Sequence, residues 1–86
     1  MKPSQIYHDA SEGKQGVKWY AIYSRRRRSG YGNLFRLVNV VSSAEAKDKL
    51  VAELIADADA AGKPVEINIQ VSTSGLTAEF PAKFDP

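Results

Sequence analysis

With 86 residues and 43% hydrophobic residues, the chain has the size of one globular domain and is too apolar for a disordered protein. The absence of cysteine excludes disulfide bridges and thiolate metal sites, and the first seven residues lack the apolar run of a secretory signal or membrane span. These features predict a single-domain cytoplasmic protein.

Charge is distributed unevenly along the chain. The net charge is only +2, but residues 1–41 carry eight basic and two acidic side chains, a net +6, whereas residues 42–86 carry four basic and eight acidic ones, a net −4. This asymmetry predicts an anionic partner for the basic half. It would also let two copies of the chain meet head to tail.

The first half of the chain predicts a flexible arm followed by a hairpin. Residues 1–16 are rich in glycine, serine and charge, and their apolar pair Ile6 and Tyr7 allows a short edge strand. Residues 17–24 and 34–41 are β-branched and aromatic, which favours strands. A turn at Gly30 and Tyr31 would then place Arg25 opposite Arg36. Because like charges directly opposite each other are destabilising, this register predicts an anion between them.

An amphipathic helix is predicted over residues 43–61. Ser42 and Glu45 match the S-x-x-E capping box, and Gly62 followed by Pro64 supplies a stop signal. The apolar residues recur at i, i+3 and i+4 and predict one buried face, which consists of Leu50, Val51, Leu54, Ile55, Ala58 and Ala61.

Two further strands are predicted after the helix. Residues 65–72 alternate strictly between apolar and polar, and residues 76–80 alternate again after a turn at Ser74 and Gly75. Together they predict a second hairpin whose polar face meets solvent. The fold class is therefore α+β, a single antiparallel sheet in the order ββαββ with room for an extra N-terminal strand and with one amphipathic helix packed on one face. Residues 17–81 would form the domain and residues 82–86 a C-terminal tail.

Four consecutive arginines are the main functional signal. Each carries a permanently charged fork that fits phosphate or carboxylate, and nearby aromatic rings suit stacking on bases. The predicted contacts to nucleic acid or to an acidic partner are Arg25, Arg26, Arg27, Arg28, Arg36, Tyr31, Tyr23, Tyr20 and Lys18.

Three interpretations of these residues compete. The leading one is a small non-enzymatic protein that binds RNA or single-stranded DNA through an arginine-rich hairpin tip. The alternative is a protein-interaction or inhibitor module that docks the tip on an acidic surface. Helix-on-sheet domains of this size with one charged protrusion occur among accessory and inhibitor proteins of phages and mobile elements, which is an analogy of size and architecture alone. The third is a solvated tip that only aids solubility.

The remaining polar residues favour neither catalysis nor a metal. His8 is the only histidine and falls short of a zinc ligand set. Glu53 and Asp57 share a helix face that is more typical of solvated carboxylates than of a cation site. A ribonuclease that uses Arg, Lys and Tyr instead of His stays open as a minor alternative. We therefore predict no cofactor, no metal, no membrane contact and no enzyme activity, and a homodimer is allowed.

Overall fold

A computed structural model describes residues 6–25 and 34–84, with side chains from residue 8 onward. Within these ranges the chain is α+β, as predicted, and forms one sheet with one helix packed on it. The elements are β1 (Ile6–Asp9), β2 (Trp19–Arg25), β3 (Phe35–Val41), α1 (Ala44–Ala61), β4 (Glu66–Ser72), a 3-10 turn (Thr77–Glu79) and β5 (Lys83–Phe84). None of the described helices is long and apolar enough to cross a membrane.

The sheet is mixed, with the strand order β1-β4-β2-β3-β5. Strand β2 runs antiparallel to β3 and to β4, and β3 runs antiparallel to β5. The N-terminal strand that the sequence allowed is β1, but it runs parallel to β4, with Ile6 opposite Glu66 and Asp9 opposite Ile69. The prediction of a wholly antiparallel sheet is therefore wrong. A parallel pair needs a long crossover connection, and here that connection includes β2, β3 and α1.

The antiparallel pairing of the predicted first hairpin is confirmed, although its register changes partway along. The predicted turn at Gly30 and Tyr31 lies outside the described residues. The predicted pairing holds as far as Ile22, which lies opposite Asn39. A β-bulge between Ile22 and Tyr23 then shifts the register, so that Ser24 lies opposite Arg36 and Arg25 lies opposite Glu66 of β4. The predicted Arg25–Arg36 opposition is wrong because a bulge places an extra residue on one strand.

The predicted second hairpin is also wrong. Strand β4 has β1 on one side and β2 on the other, so neither of its edges is open to a strand formed by residues 76–80. Those residues instead contain the 3-10 turn Thr77–Glu79, and the chain then crosses to β3, where Lys83 and Phe84 form β5. The sheet thus includes segments from both ends of the sequence.

Helix α1 begins one residue later than predicted. Its N-cap is Ser43, whose hydroxyl accepts the backbone N–H of Ala46 at 3.1 Å. The capping box of Ser42 and Glu45 is therefore wrong, since Ala46 now occupies the N3 position and has no side chain to reach back. Gly62 ends the helix in the left-handed conformation, at φ 66°, as the stop signal predicted.

Hydrophobic side chains cover both faces of the sheet. The helix side buries Ile22, Ile67 and Ile69 against a helix face in which Val51 and Ala58 are buried, Leu50, Leu54 and Ile55 are half-buried and Ala61 is exposed. On the opposite face, Ala21, Tyr23 and Phe35 form a second core with partly buried Leu37, Val40, Phe80 and Phe84. Because β2 lies at the centre of the sheet, both of its faces are apolar.

Candidate functional site

The run of four arginines, residues 25–28, begins at the last residue of β2. The nearest other described basic residues, Arg36 and Lys83, lie at the start of β3 and on β5. We call this part of the sheet the arginine end and define it by Arg25, Arg36 and Lys83. The other predicted contacts in this stretch, Arg26, Arg27, Arg28 and Tyr31, lie outside the described residues. Three Cα–Cα steps of about 3.8 Å bound the distance from Arg25 to Arg28 at about 11 Å, whatever the conformation of the chain between them.

Arg25 is engaged in contacts within the fold. Its Nη2 lies 3.0 Å from Oε2 of Glu66, and its Cζ lies 4.4 Å from the centre of the Phe35 ring. The side chain is 19% exposed, and that of Glu66 is 10% exposed. Arg25 therefore joins β2 to both neighbouring strands, and much of its charge is balanced by a carboxylate.

Arg36 and Lys83 form a pair of like charges across β3 and β5. The two residues lie directly opposite each other, and both are exposed. Within residues 6–25 and 34–84, neither makes an ion pair. Side chains opposite each other on antiparallel strands have Cβ atoms about 4.5–5.5 Å apart, so both cationic groups can reach one anion. An anion placed there would relieve their repulsion.

Two of the predicted aromatic contacts take part in packing. Tyr20 is half-buried beside the helix-side core, with Nζ of Lys47 5.8 Å from its ring centre. Tyr23 is fully buried on the other face, and its hydroxyl donates to the carbonyl of Pro81 at 2.7 Å. Both rings pack within the fold and are not available to stack on bases. The described residues of the arginine end therefore offer a ligand mainly positive charge.

The structure places Lys18 away from the other predicted contacts. It is exposed and precedes β2, seven residues before Arg25. At about 3.3 Å per strand residue, this separation is about 23 Å. Lys83 is not among the predicted contacts, because residues 82–86 were predicted to form a tail, yet it lies at the arginine end. Only the β3–β5 register brings it beside Arg36, and the one sequence signal for that strand was the apolar anchor Phe84.

Burial raises the pKa of the Tyr23 hydroxyl above its usual value of 10.0. The folded chain therefore keeps this proton at a pH where the unfolded chain releases it. The stability that this raised pKa contributes is fully present below pH 10. It decreases as the pH rises beyond that value, by up to about 1.4 kcal/mol per pH unit. We expect Tyr23→Phe to lower stability at pH 8 and to lose less stability than the parent between pH 9 and 11. Urea unfolding at each pH measures both effects, and parallel losses in the two proteins would contradict the assignment.

Within residues 6–25 and 34–84, no group of three or more His, Cys, Asp or Glu side chains is placed to hold a metal ion. Comparisons with protein-family models, with curated proteins and with solved structures gave no match to the chain. The geometry and charge of the arginine end are therefore the basis on which a function can be inferred.

Proposed function

We propose that the chain is a non-enzymatic protein that binds RNA or single-stranded DNA through the arginine end and the adjoining arginine run. The observation that carries this proposal is the register that sets exposed Arg36 directly opposite exposed Lys83. Two cations that converge on one position from separate strands suit a phosphate group. A phosphate would satisfy both side chains and remove an unfavourable contact between like charges.

A nucleic acid fits this arrangement better than an acidic protein surface does. Arg36 and Lys83 lie opposite each other, and Arg26, Arg27 and Arg28 directly follow Arg25 in the sequence, so five cations are available to the proposed contact. A nucleic acid presents one phosphate per nucleotide at regular spacing, whereas carboxylates on a protein surface are scattered. Since Tyr20 and Tyr23 are used in packing, the contact would be made mainly to the backbone and would show little base preference.

The first test is the salt dependence of binding. If the chain neutralises five phosphates, the slope of log affinity against log salt is about −3.5 for a single strand, and affinity falls about 100-fold between 50 and 200 mM salt. Arg36→Gln with Lys83→Gln removes two of these contacts and makes the slope shallower by about 1.4. Fluorescence anisotropy of a labelled oligouridylate of about 20 nucleotides, repeated with oligothymidylate, measures both quantities.

The matched control is Lys14→Gln with Lys49→Gln, which changes the net charge equally at two exposed lysines away from the arginine end. The proposal requires the control to bind nearly as the parent does. Equal weakening of both double variants would mean that net charge alone is responsible. If no oligonucleotide binds at low salt while an acidic partner is captured from nuclease-treated lysate through Arg36 and Lys83, the protein-interaction alternative replaces this proposal.

A further inference from the structure

A cavity of about 460 Å³ lies on the face of the sheet opposite the helix. Its floor includes Gln70 of β4 and Tyr23 of β2. Its wall runs from the 3-10 turn to β5 and consists of Glu79, Phe80, Pro81 and Phe84. This volume falls within the range of pockets that hold small ligands. The cavity is separate from the Arg36–Lys83 pair, since its lining contains neither residue.

The aromatic part of the lining is fixed in place by contacts within the fold. The rings of Tyr23 and Phe84 meet edge to face, with centres 4.7 Å apart at 84°. Phe84 also stacks on Phe35, with ring centres 5.0 Å apart, and the Tyr23 hydroxyl donates a hydrogen bond to the carbonyl of Pro81. Because Tyr23 is fully buried, a ligand would contact the half-buried rings of Phe80 and Phe84. The contacts of Phe84 with Tyr23 and Phe35 already order its ring, which lowers the entropy cost of binding.

The polar part of the lining offers hydrogen-bond acceptors. Gln70 donates its Nε2 to Oδ1 of Asn68, so its own amide oxygen is the atom left to accept. Glu79 is exposed and brings a carboxylate, whose Oε1 lies 3.4 Å from the Ser74 hydroxyl. Among the described residues, no lysine or arginine lines this cavity. Acceptors and ring faces together favour a ligand that carries donors and positive charge.

We propose that this cavity binds a small organic cation, an alkylated ammonium group on a compact apolar body. Aromatic ring faces attract such cations through their quadrupoles, and the Glu79 carboxylate adds a direct charge interaction. Gln70 accepts an N–H or O–H of the same ligand. The site differs from the arginine end in the sign of the charge that it selects, so the two would bind different ligands.

Choline and its uncharged isostere 3,3-dimethylbutan-1-ol test this inference because they share size and shape and differ in charge. We expect choline to shift the ¹H–¹⁵N resonances of Gln70, Glu79 and Phe80 and to bind at least about tenfold more tightly than the isostere. Glu79→Gln should weaken choline binding about tenfold, and Phe80→Leu should weaken it similarly. Glu12→Gln, at an exposed carboxylate of a neighbouring cavity, is the matched control and should bind choline as the parent does.

Sodium chloride at the same concentration is the reference for choline chloride in every titration. Equal binding of choline and the isostere would overturn the proposal, because the cavity would then select apolar shape alone. The absence of shifts at about 50 mM choline would overturn it as well, because a site with a dissociation constant of about 1 mM would then be almost fully occupied. Because Glu79 is exposed, Glu79→Gln decides the matter if Phe80→Leu disturbs folding. Equal weakening by Glu12→Gln would likewise contradict it.

Discussion

Replacing Lys47 by methionine is expected to lower the free energy of unfolding by about 3–5 kcal/mol. The Lys47 side chain is 9% exposed, and its Nζ lies 2.9 Å from Oδ2 of Asp9, whose side chain is 6% exposed. Methionine keeps the apolar stem but removes the charge, so the buried Asp9 loses the ion pair with Lys47. A chain of this length has a net stability of about 4–13 kcal/mol, so this one change would remove a large share of it.

Asp9→Asn provides the matching half of a double-mutant cycle. Its amide oxygen can still accept the two bonds from Ser11 that Asp9 Oδ1 accepts, while Lys47 keeps its contact with the exposed carboxylate of Asp48. We therefore expect a smaller loss than for Lys47→Met. The double variant should recover part of the stability, because it leaves neither charge alone in the interior.

Urea unfolding followed by far-UV circular dichroism measures each corner of this cycle. Lys49→Met, at an exposed position on the same helix, is the control and should change stability by less than about 0.5 kcal/mol. Strictly additive losses for Lys47→Met and Asp9→Asn would show that the two side chains do not stabilise each other.

Phe35→Ala is expected to cost about 3–5 kcal/mol, the usual loss for a buried phenylalanine. Phe35 is 1% exposed and is the largest β3 side chain in the second core. Its ring stacks on Phe84 at 5.0 Å and also contacts the guanidinium of Arg25. Removing the ring leaves a cavity and takes away the stacking contact of Phe84, so both the Arg36–Lys83 pair and the wall of the cavity formed by Phe80 and Phe84 would lose support.

Equilibrium unfolding monitored by the fluorescence of Trp19, the single tryptophan, tests this expectation. Leu34→Ala is the neighbouring control, since Leu34 is 43% exposed and should lose less than about 1 kcal/mol. The stability loss of Phe35→Leu should lie between those of Phe35→Ala and Leu34→Ala. A loss for Phe35→Ala as small as that for Leu34→Ala would show that the second core contributes little to stability.

The sequence predicted the elements whose signals are local. The helix was predicted from its apolar period and its glycine stop, and β2, β3 and β4 from their β-branched and aromatic residues. Ser42 and Ser43 are equally good caps, so composition alone could not choose between them. Residues 76–80 alternate between apolar and polar as a strand does. They could pair with β4 only along an open edge, and β1 and β2 already occupy both edges of β4.

The candidate site depended on information that local patterns do not carry. Nothing near Val38 identifies the bulge that takes Arg36 away from Arg25, because a bulge depends on how two strands fit together. The partnership of Arg25 with Glu66 joins positions 41 residues apart. Lys83 lies in the candidate site because β5 pairs with β3. Two residues are too few to show the apolar–polar alternation by which a strand is predicted. Charge composition indicated the candidate region, and strand register determined which of the described cations lie opposite each other.

The parallel pairing of β1 with β4 has a consequence for the order in which the chain assembles during synthesis. The described neighbour of Ile6 in the sheet is Glu66, which the ribosome adds 60 positions later. At about 5–20 residues per second, the first strand waits about 3–12 s before its partner exists. The antiparallel β2–β3 pair and helix α1 can form in that interval, and β1 joins the sheet only after β4, when Lys47 is already in place to receive Asp9.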